Sequence, residues 1–191
     1  MKDWNVVVSV NEKGFSQAVN ILRKFGAISK TEFFNVLVMR VEDVAGMCDT
    51  LKNRLEGDPS FLSFLSRLIP VTKSFTFQTP DEFEGKVKET ISEWVPQLEG
   101  KGFHVRMHRR GFKGRLSSLE EEKMLDEFLL ELTREGGNPG HVTFEGPDVI
   151  IAVETVAHRA GLLLWTREDL QRYPFVKVEG KWESILGEEE K

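Results

Sequence analysis

Residues 101–117 hold six basic side chains, Lys101, Arg106, Arg109, Arg110, Lys113 and Arg115, with no aspartate or glutamate among them. Arg109-Arg110-Gly111, Lys113 and Arg115 run directly into Ser117-Ser118 and a helical apolar pattern. The first turn of a helix leaves backbone N–H groups without intrahelical acceptors, and its dipole adds positive potential there. An anion bracketed by flexible basic side chains is the chemistry this spacing serves, and phosphate is the natural guest. The competing reading is a solvated loop whose arginines pair with Glu120, Glu121 and Glu122, as charge runs often do.

The other residues with chemical potential point less far. His104 and His108 share one face of an alternating strand pattern, but that spacing separates them by roughly 13 Å, too far for one metal ion. With His141 and His158 scattered elsewhere, no metal or cofactor is expected. Cys48 is the single cysteine. It cannot close an internal disulfide, and its helical spacing with Val44, Met47, Leu51 and Leu55 reads as a buried thiol rather than a nucleophile. There is no Ser-Gly-Gly-x-Asp nucleotide loop, no glycine-rich cofactor turn and no paired cysteines. No catalytic residue is assigned, and the expectation is that this is not an enzyme.

Composition sets the frame. The 191 residues are 40% hydrophobic and 30% charged, ordinary for a globular chain of one or two small domains. No apolar run approaches the roughly 20 residues that span a bilayer, and the first residues read as a strand rather than a signal peptide, so no membrane role and a cytoplasmic setting are expected. The formal net charge of −5 argues by itself against bulk phosphate binding. The basic island stands out because the chain after it is acidic.

The elements that must position these residues fall in two groups. Residues 4–10 read as a strand, 14–25 as a helix, 33–40 as a strand, 42–55 as a helix broken by Gly57-Asp58-Pro59, and 61–71 as an apolar stretch ending in a strand. This βαβαβ order is a ferredoxin-like pattern over residues 1–75. Thr79, Pro80 and Glu82 then mark a capped helix start, followed by Phe83, Val87, Ile91, Trp94, Val95 and Leu98 on one stripe, with Pro96 ending or kinking it. Residues 103–109 alternate Phe103, Val105, Met107 against His104, Arg106, His108, a half-buried strand with one cationic face. Ser118 with Glu121 reads as a second capping box, before Leu125, Phe128, Leu129 and Leu132 at helical spacing. Two apolar runs, 149–156 and 161–165, follow.

Trp165, Tyr173 and Phe175 admit two readings. They could stack a base with Arg167 and Arg172 on phosphate, or turn inward as core.

The run Phe103-His104-Val105-Arg106-Met107-His108-Arg109-Arg110-Gly111, then Ser117-Ser118 with Glu120–Glu122, then Gly146-Pro147-Asp148-Val149-Ile150-Ile151-Ala152-Val153-Glu154, resembles the THUMP domain. THUMP is an RNA-binding domain of 4-thiouridine synthetases, RNA methyltransferases, some pseudouridine synthases and an adaptor for tRNA acetylation. The ferredoxin-like pattern is similar to the domain that usually precedes it. The resemblance implies an α+β protein, a ferredoxin-like domain over residues 1–75 followed by a THUMP-like α/β sandwich domain over 76–191. It also implies RNA, in particular tRNA, held on a basic surface. The positions matching that surface are Arg106, Arg109, Arg110 and Lys113. Arg115 and Lys101 flank them in the same island, and Arg167 and Arg172 are secondary candidates. Pro147 and Asp148 match as well, though a turn before a strand explains them without RNA.

The expected function is therefore an RNA-binding protein that positions tRNA for a modification enzyme supplied in trans, with that enzyme as a partner. The alternative is a protein-interaction module, or a family member without RNA binding, whose acidic helix face and tail (Glu188, Glu189, Glu190) recruit a basic partner.

Overall fold

The computed structural model describes residues 1–178, which divide into two compact units. One gathers residues 3–70 and 170–178; the other gathers residues 71–169.

In the first unit, four valines make β1 (Val6–Val10) a central strand whose β-branched side chains suit burial on both faces. It is followed by α1 (Phe15–Leu22), β2 (Gly26–Lys30), β3 (Val36–Val41), α2 (Val44–Gly57) and β4 (Leu65–Pro70). The sheet order is β2-β3-β1-β4 with every neighbouring pair antiparallel, the ferredoxin-like arrangement. The βαβαβ order read from sequence lacks β2. Gly26-Ala27-Ile28-Ser29-Lys30 is a half-exposed edge strand with little apolar alternation, specified by its register with β3, Gly26 opposite Val41 through Lys30 opposite Leu37. Asp43 caps α2 by accepting the Gly46 N–H at 2.8 Å. Cys48 is buried on that helix with Met47 and Leu51, and burial pushes its thiol up to about 12.

The chain beyond Leu170 is fastened to this unit through Asp49 of α2, whose Oδ1 accepts from Arg172 Nη2 at 2.9 Å and from the Tyr173 hydroxyl at 2.8 Å. The Tyr173 bond, then that of Arg172, holds the Asp49 carboxyl below the usual carboxylate range. Phe175 and Val176 are buried. Glu188, Glu189 and Glu190 lie outside the described residues.

The second unit contains β5 (Lys73–Thr76), α3 (Pro80–Ser92), α4 (Val95–Leu98), β6 (Gly102–His108), α5 (Ser118–Glu135), β7 (His141–Val142), β8 (Val149–Val156) and β9 (Arg159–Thr166), with α6 (Arg167–Arg172) bridging its end. Its sheet runs β5-β9-β8-β6-β7; β6 is parallel to β7 and β8, and β9 is antiparallel to β8 and β5. Thr79 caps α3 as read, accepting the Glu82 N–H, but the Glu82 carboxylate reaches back to the Gln78 N–H, one residue before the cap, so the reciprocal bond of a capping box to Thr79 does not form. Pro96 sits in the first turn of α4, just after α3 ends. Phe83, Val87 and Ile91 of α3, Leu125 and Leu129 of α5, and Phe103, Val105 and Met107 of β6 share one buried core. Two short strands escaped the sequence reading. β5 is a polar edge strand, and β7 is a two-residue parallel pairing, too short to show a period.

No described helix is long and apolar enough to cross a membrane.

Candidate nucleic-acid interface

β6 ends at His108, and the next nine residues form the loop that carries the basic island to α5. Three consecutive devices fix this loop. The Arg110 N–H donates to Thr155 Oγ1 at 3.0 Å, and its carbonyl accepts from the Ala157 N–H at 2.9 Å. Gly111 adopts φ +107°, with Ala157 Cα only 3.2 Å from where a Cβ would sit, so a bare backbone is required there. Phe112, itself left-handed at φ +52°, packs its ring against Phe77 at 4.9 Å and His158 at 5.0 Å. An aromatic anchor in the core thus holds a turn from which Lys113 and Arg115 project into solvent.

The six basic residues do not share one fate. Arg115 is exposed, its guanidinium 5.3 Å from the Phe112 ring centre. Lys113 and Lys101 are exposed as well. Arg109 is half-buried; it donates through Nη1 to the Gly111 carbonyl, while its Nε is buried without a partner. Arg110 turns inward and pairs with the fully buried carboxylate of Glu154. Arg106 stands on the opposite face of β6 from the core, 3.5 Å from Glu122. Among the described residues, no ion pair joins Arg109, Lys113 or Arg115 to a carboxylate.

Arg109 and Arg115 line an open groove of about 650 Å³ at the start of α5, together with Ser117, Ser118, Glu84 and Glu121. The helix cap here is Ser117 rather than Ser118. Ser117 has the extended backbone, and its side chain accepts the Glu120 N–H. Adjacent serines are equivalent in sequence; only the point where the chain turns helical selects between them. Glu121 is consequently not a capping residue. Its side chain is buried, its Oε2 has no hydrogen-bond partner, and burial, reinforced by Glu84 and Glu120, pushes its carboxyl up to about 7. No sequence signal separates Glu121 from its neighbours.

The next two inward carboxylates of α5 serve the sheet. β7 covers only the start of β6, and the N–H groups of Val105 and Met107 beyond it are taken by Asp126 Oδ1 at 2.8 Å and Glu122 Oε1 at 2.7 Å. Burial pushes the Asp126 carboxyl up to about 7 against the opposing pull of the Val105 bond.

Asp148 is a structural clasp. Its Oδ2 accepts the Gly102 N–H at 2.9 Å and its Oδ1 meets Arg167 Nη2 at 3.1 Å, tying the start of β6 to the end of β9. Arg167 also binds the carbonyls of Gly146 and Pro147. Trp165 and Phe175 are buried, as the inward reading expects, whereas Tyr173 is half-buried with its hydroxyl on Asp49. Among the described residues, no three His, Cys, Asp or Glu side chains converge on a metal-sized space.

The arrangement is that of a ferredoxin-like unit joined to a THUMP-like unit. No family model matches the sequence, and no curated protein matches it. Solved structures do share the fold. PH1313 from Pyrococcus horikoshii aligns over 85% of this chain at 12% identity and a TM-score of 0.57. TrmN from Thermus thermophilus aligns over 84% at 17% identity and a TM-score of 0.56. A 4-thiouridine synthetase solved with RNA and ATP aligns over 85% at 14% identity and a TM-score of 0.51. The chain spans 54%, 44% and 41% of these proteins respectively. The expectation that this is not an enzyme is corrected here. A fold neighbour is itself an enzyme, and the chain matches under half of it, so the lack of a catalytic signature in the matched part excludes nothing.

Proposed function

We propose that the chain binds tRNA through the second unit and positions it for a modification enzyme. The observation that carries this reading is the anchored loop after β6. Phe112 and Gly111 fix its backbone, and Arg109, Lys113 and Arg115, none of them ion-paired among the described residues, stand beside the first turn of an 18-residue helix. Arg106, Arg109, Lys113 and Arg115 form the contact surface, with Lys101 at its edge. Arg110 acts chiefly by holding the loop, and Arg167 and Arg172, each already facing an aspartate, are outlying contacts. That one fold neighbour was solved with RNA supports RNA as the partner. The enzyme contact belongs to residues 1–75, and the setting is cytoplasmic.

The test is binding of total tRNA, and of a minihelix with a single-stranded 3′ tail, at two salt concentrations. The wild type is compared with an Arg109→Glu, Arg115→Glu double variant, folding being checked by circular dichroism. Salt-sensitive binding by the wild type that the double variant loses is expected, and single neutral substitutions at Arg109, Lys113 and Arg115 should each lower the salt slope by about one unit. A wild type that binds neither RNA overturns the reading.

A further inference from the structure

Two aromatic rings stand well exposed among the described residues, Phe34 in the first unit and Phe144 in the second. A lone apolar side chain in water is ordinary. Phe144, 62% exposed, differs because the chain on both sides of it is fastened down. Before it, the Thr143 N–H donates to the Phe103 carbonyl at 3.0 Å; after it, the Asp148 N–H donates to the Gly102 carbonyl at 2.8 Å. Between these ties the turn closes on itself, Thr143 Oγ1 donating to the Glu145 carbonyl at 3.1 Å, with Gly146 left-handed at φ +57°.

The ring packs on His104, which is fully buried on β6, with the two ring centres 5.0 Å apart. A carbonyl only accepts, so His104 Nδ1 donates to the Thr143 carbonyl at 2.8 Å and locks this seat to the turn. Phe144 is therefore an aromatic held from below and open to solvent above, and a ring already held loses little further freedom on binding. The alternation of β6 puts Arg106 on the same face as His104, roughly 7 Å further along the strand. Lys101 and His141 are exposed at the starts of β6 and β7, which pair there. The ring's own neighbours, Thr143, Glu145 and Gly146, are polar or bare, so it lacks the surround that excludes water at a protein hot spot. The flat face of a base needs only one ring to stack on.

We propose that Phe144 is a stacking platform for an unpaired base of bound RNA, with Arg106 meeting the adjoining phosphate. A base inside a duplex is already stacked on its neighbours, so the platform selects single-stranded RNA. Glu145 beside the ring opposes the phosphate charge, and the ring face carries the affinity. The inference rests on the RNA-binding reading above but fails separately from it.

The experiment titrates the full chain with fluorescein-labelled octauridylate and with a blunt-ended RNA hairpin, by anisotropy at several salt concentrations. Phe144→Ala is expected to weaken octauridylate binding about tenfold and to leave hairpin affinity within about twofold. The salt slope should not change, because no charge is removed. Phe144→Leu keeps an apolar cover over His104 without the flat ring and should lose as much, whereas Phe144→Trp should restore binding. Melting temperatures check that each variant is folded. Wild-type affinity for octauridylate in Phe144→Leu, with salt-sensitive tRNA binding intact, would overturn the platform in favour of a protein contact and leave the RNA-binding reading standing. A loss that falls equally on the hairpin, or a wild type that binds the hairpin but not octauridylate, would overturn it too. No wild-type binding to these probes or to tRNA overturns both.

Discussion

Arg110 and Glu154 form an ion pair inside the second unit, the carboxylate fully buried on β8 and the guanidinium side chain 12% exposed in the loop two residues past β6. His108 Nδ1 lies 3.1 Å from the other carboxylate oxygen. Burial alone would raise the Glu154 carboxyl, but the contact with His108 and the charge of Arg110 outweigh it and hold the group below its ordinary value. Removing one partner of a buried pair strands the other charge. Arg110→Ala is thus expected to cost about 3 kcal/mol or more in chemical unfolding, whereas Arg115→Ala, on an exposed side chain, should leave stability within about 0.5 kcal/mol and act on RNA affinity. Equal unfolding midpoints for the two variants would refute this division of labour.

The acidic face of α5 is partly spoken for by the edge of β6. An Asp126→Ala, Glu122→Ala double variant strands the N–H groups of Val105 and Met107. Each loss should cost about 1–3 kcal/mol, and an opened strand edge invites pairing with another chain. Hydrogen exchange should show both amides protected in the wild type and fast in the variant, with concentration-dependent association by light scattering. Unchanged protection would mean these carboxylates do not carry the edge.

Glu121 makes a signed pH prediction. Its carboxyl rises from an ordinary 4.5 to about 7 in the folded state. The native state therefore binds the extra proton, and stability contributed by this group falls as pH climbs from 4.5 to 7, remaining low above that. Glu121→Gln should match the wild type near pH 4.5 and exceed its melting temperature at pH 8. A constant difference across that span would show that the group titrates normally.

Gly111 ties backbone geometry to the interface. With φ +107° and Ala157 Cα 3.2 Å from a built Cβ, Gly111→Ala must strain or shift the loop. A loss of about 1–3 kcal/mol is expected, together with weaker RNA binding because Arg109 moves with the turn. The check is paired melting and tRNA titration; full retention of both would mean the loop tolerates a side chain.

Much of this protein is written in local pattern. The valines of β1, the Thr79 and Pro80 start of α3, the alternation of β6 and the apolar period of α5 each follow from periodicities and caps that nearby residues impose. The basic island and its entry into a helix are equally local, so its six members could be named without a fold. Tertiary structure decided which of these arginines are available. Arg109 and Arg110 are neighbours in sequence, yet one lines a groove and the other is consumed by Glu154, because a charge is free or spent according to what packs around it. The same holds for Glu121, Glu122 and Asp126, indistinguishable as a solvated acidic face until one is buried in the groove and two are aligned with an open strand edge. β2 and β7 exist only through their partners, since an edge strand with little apolar alternation is stabilised by the ladder it joins. Local sequence fixes dihedrals and periodicity; burial and pairing are set by residues distant in the chain.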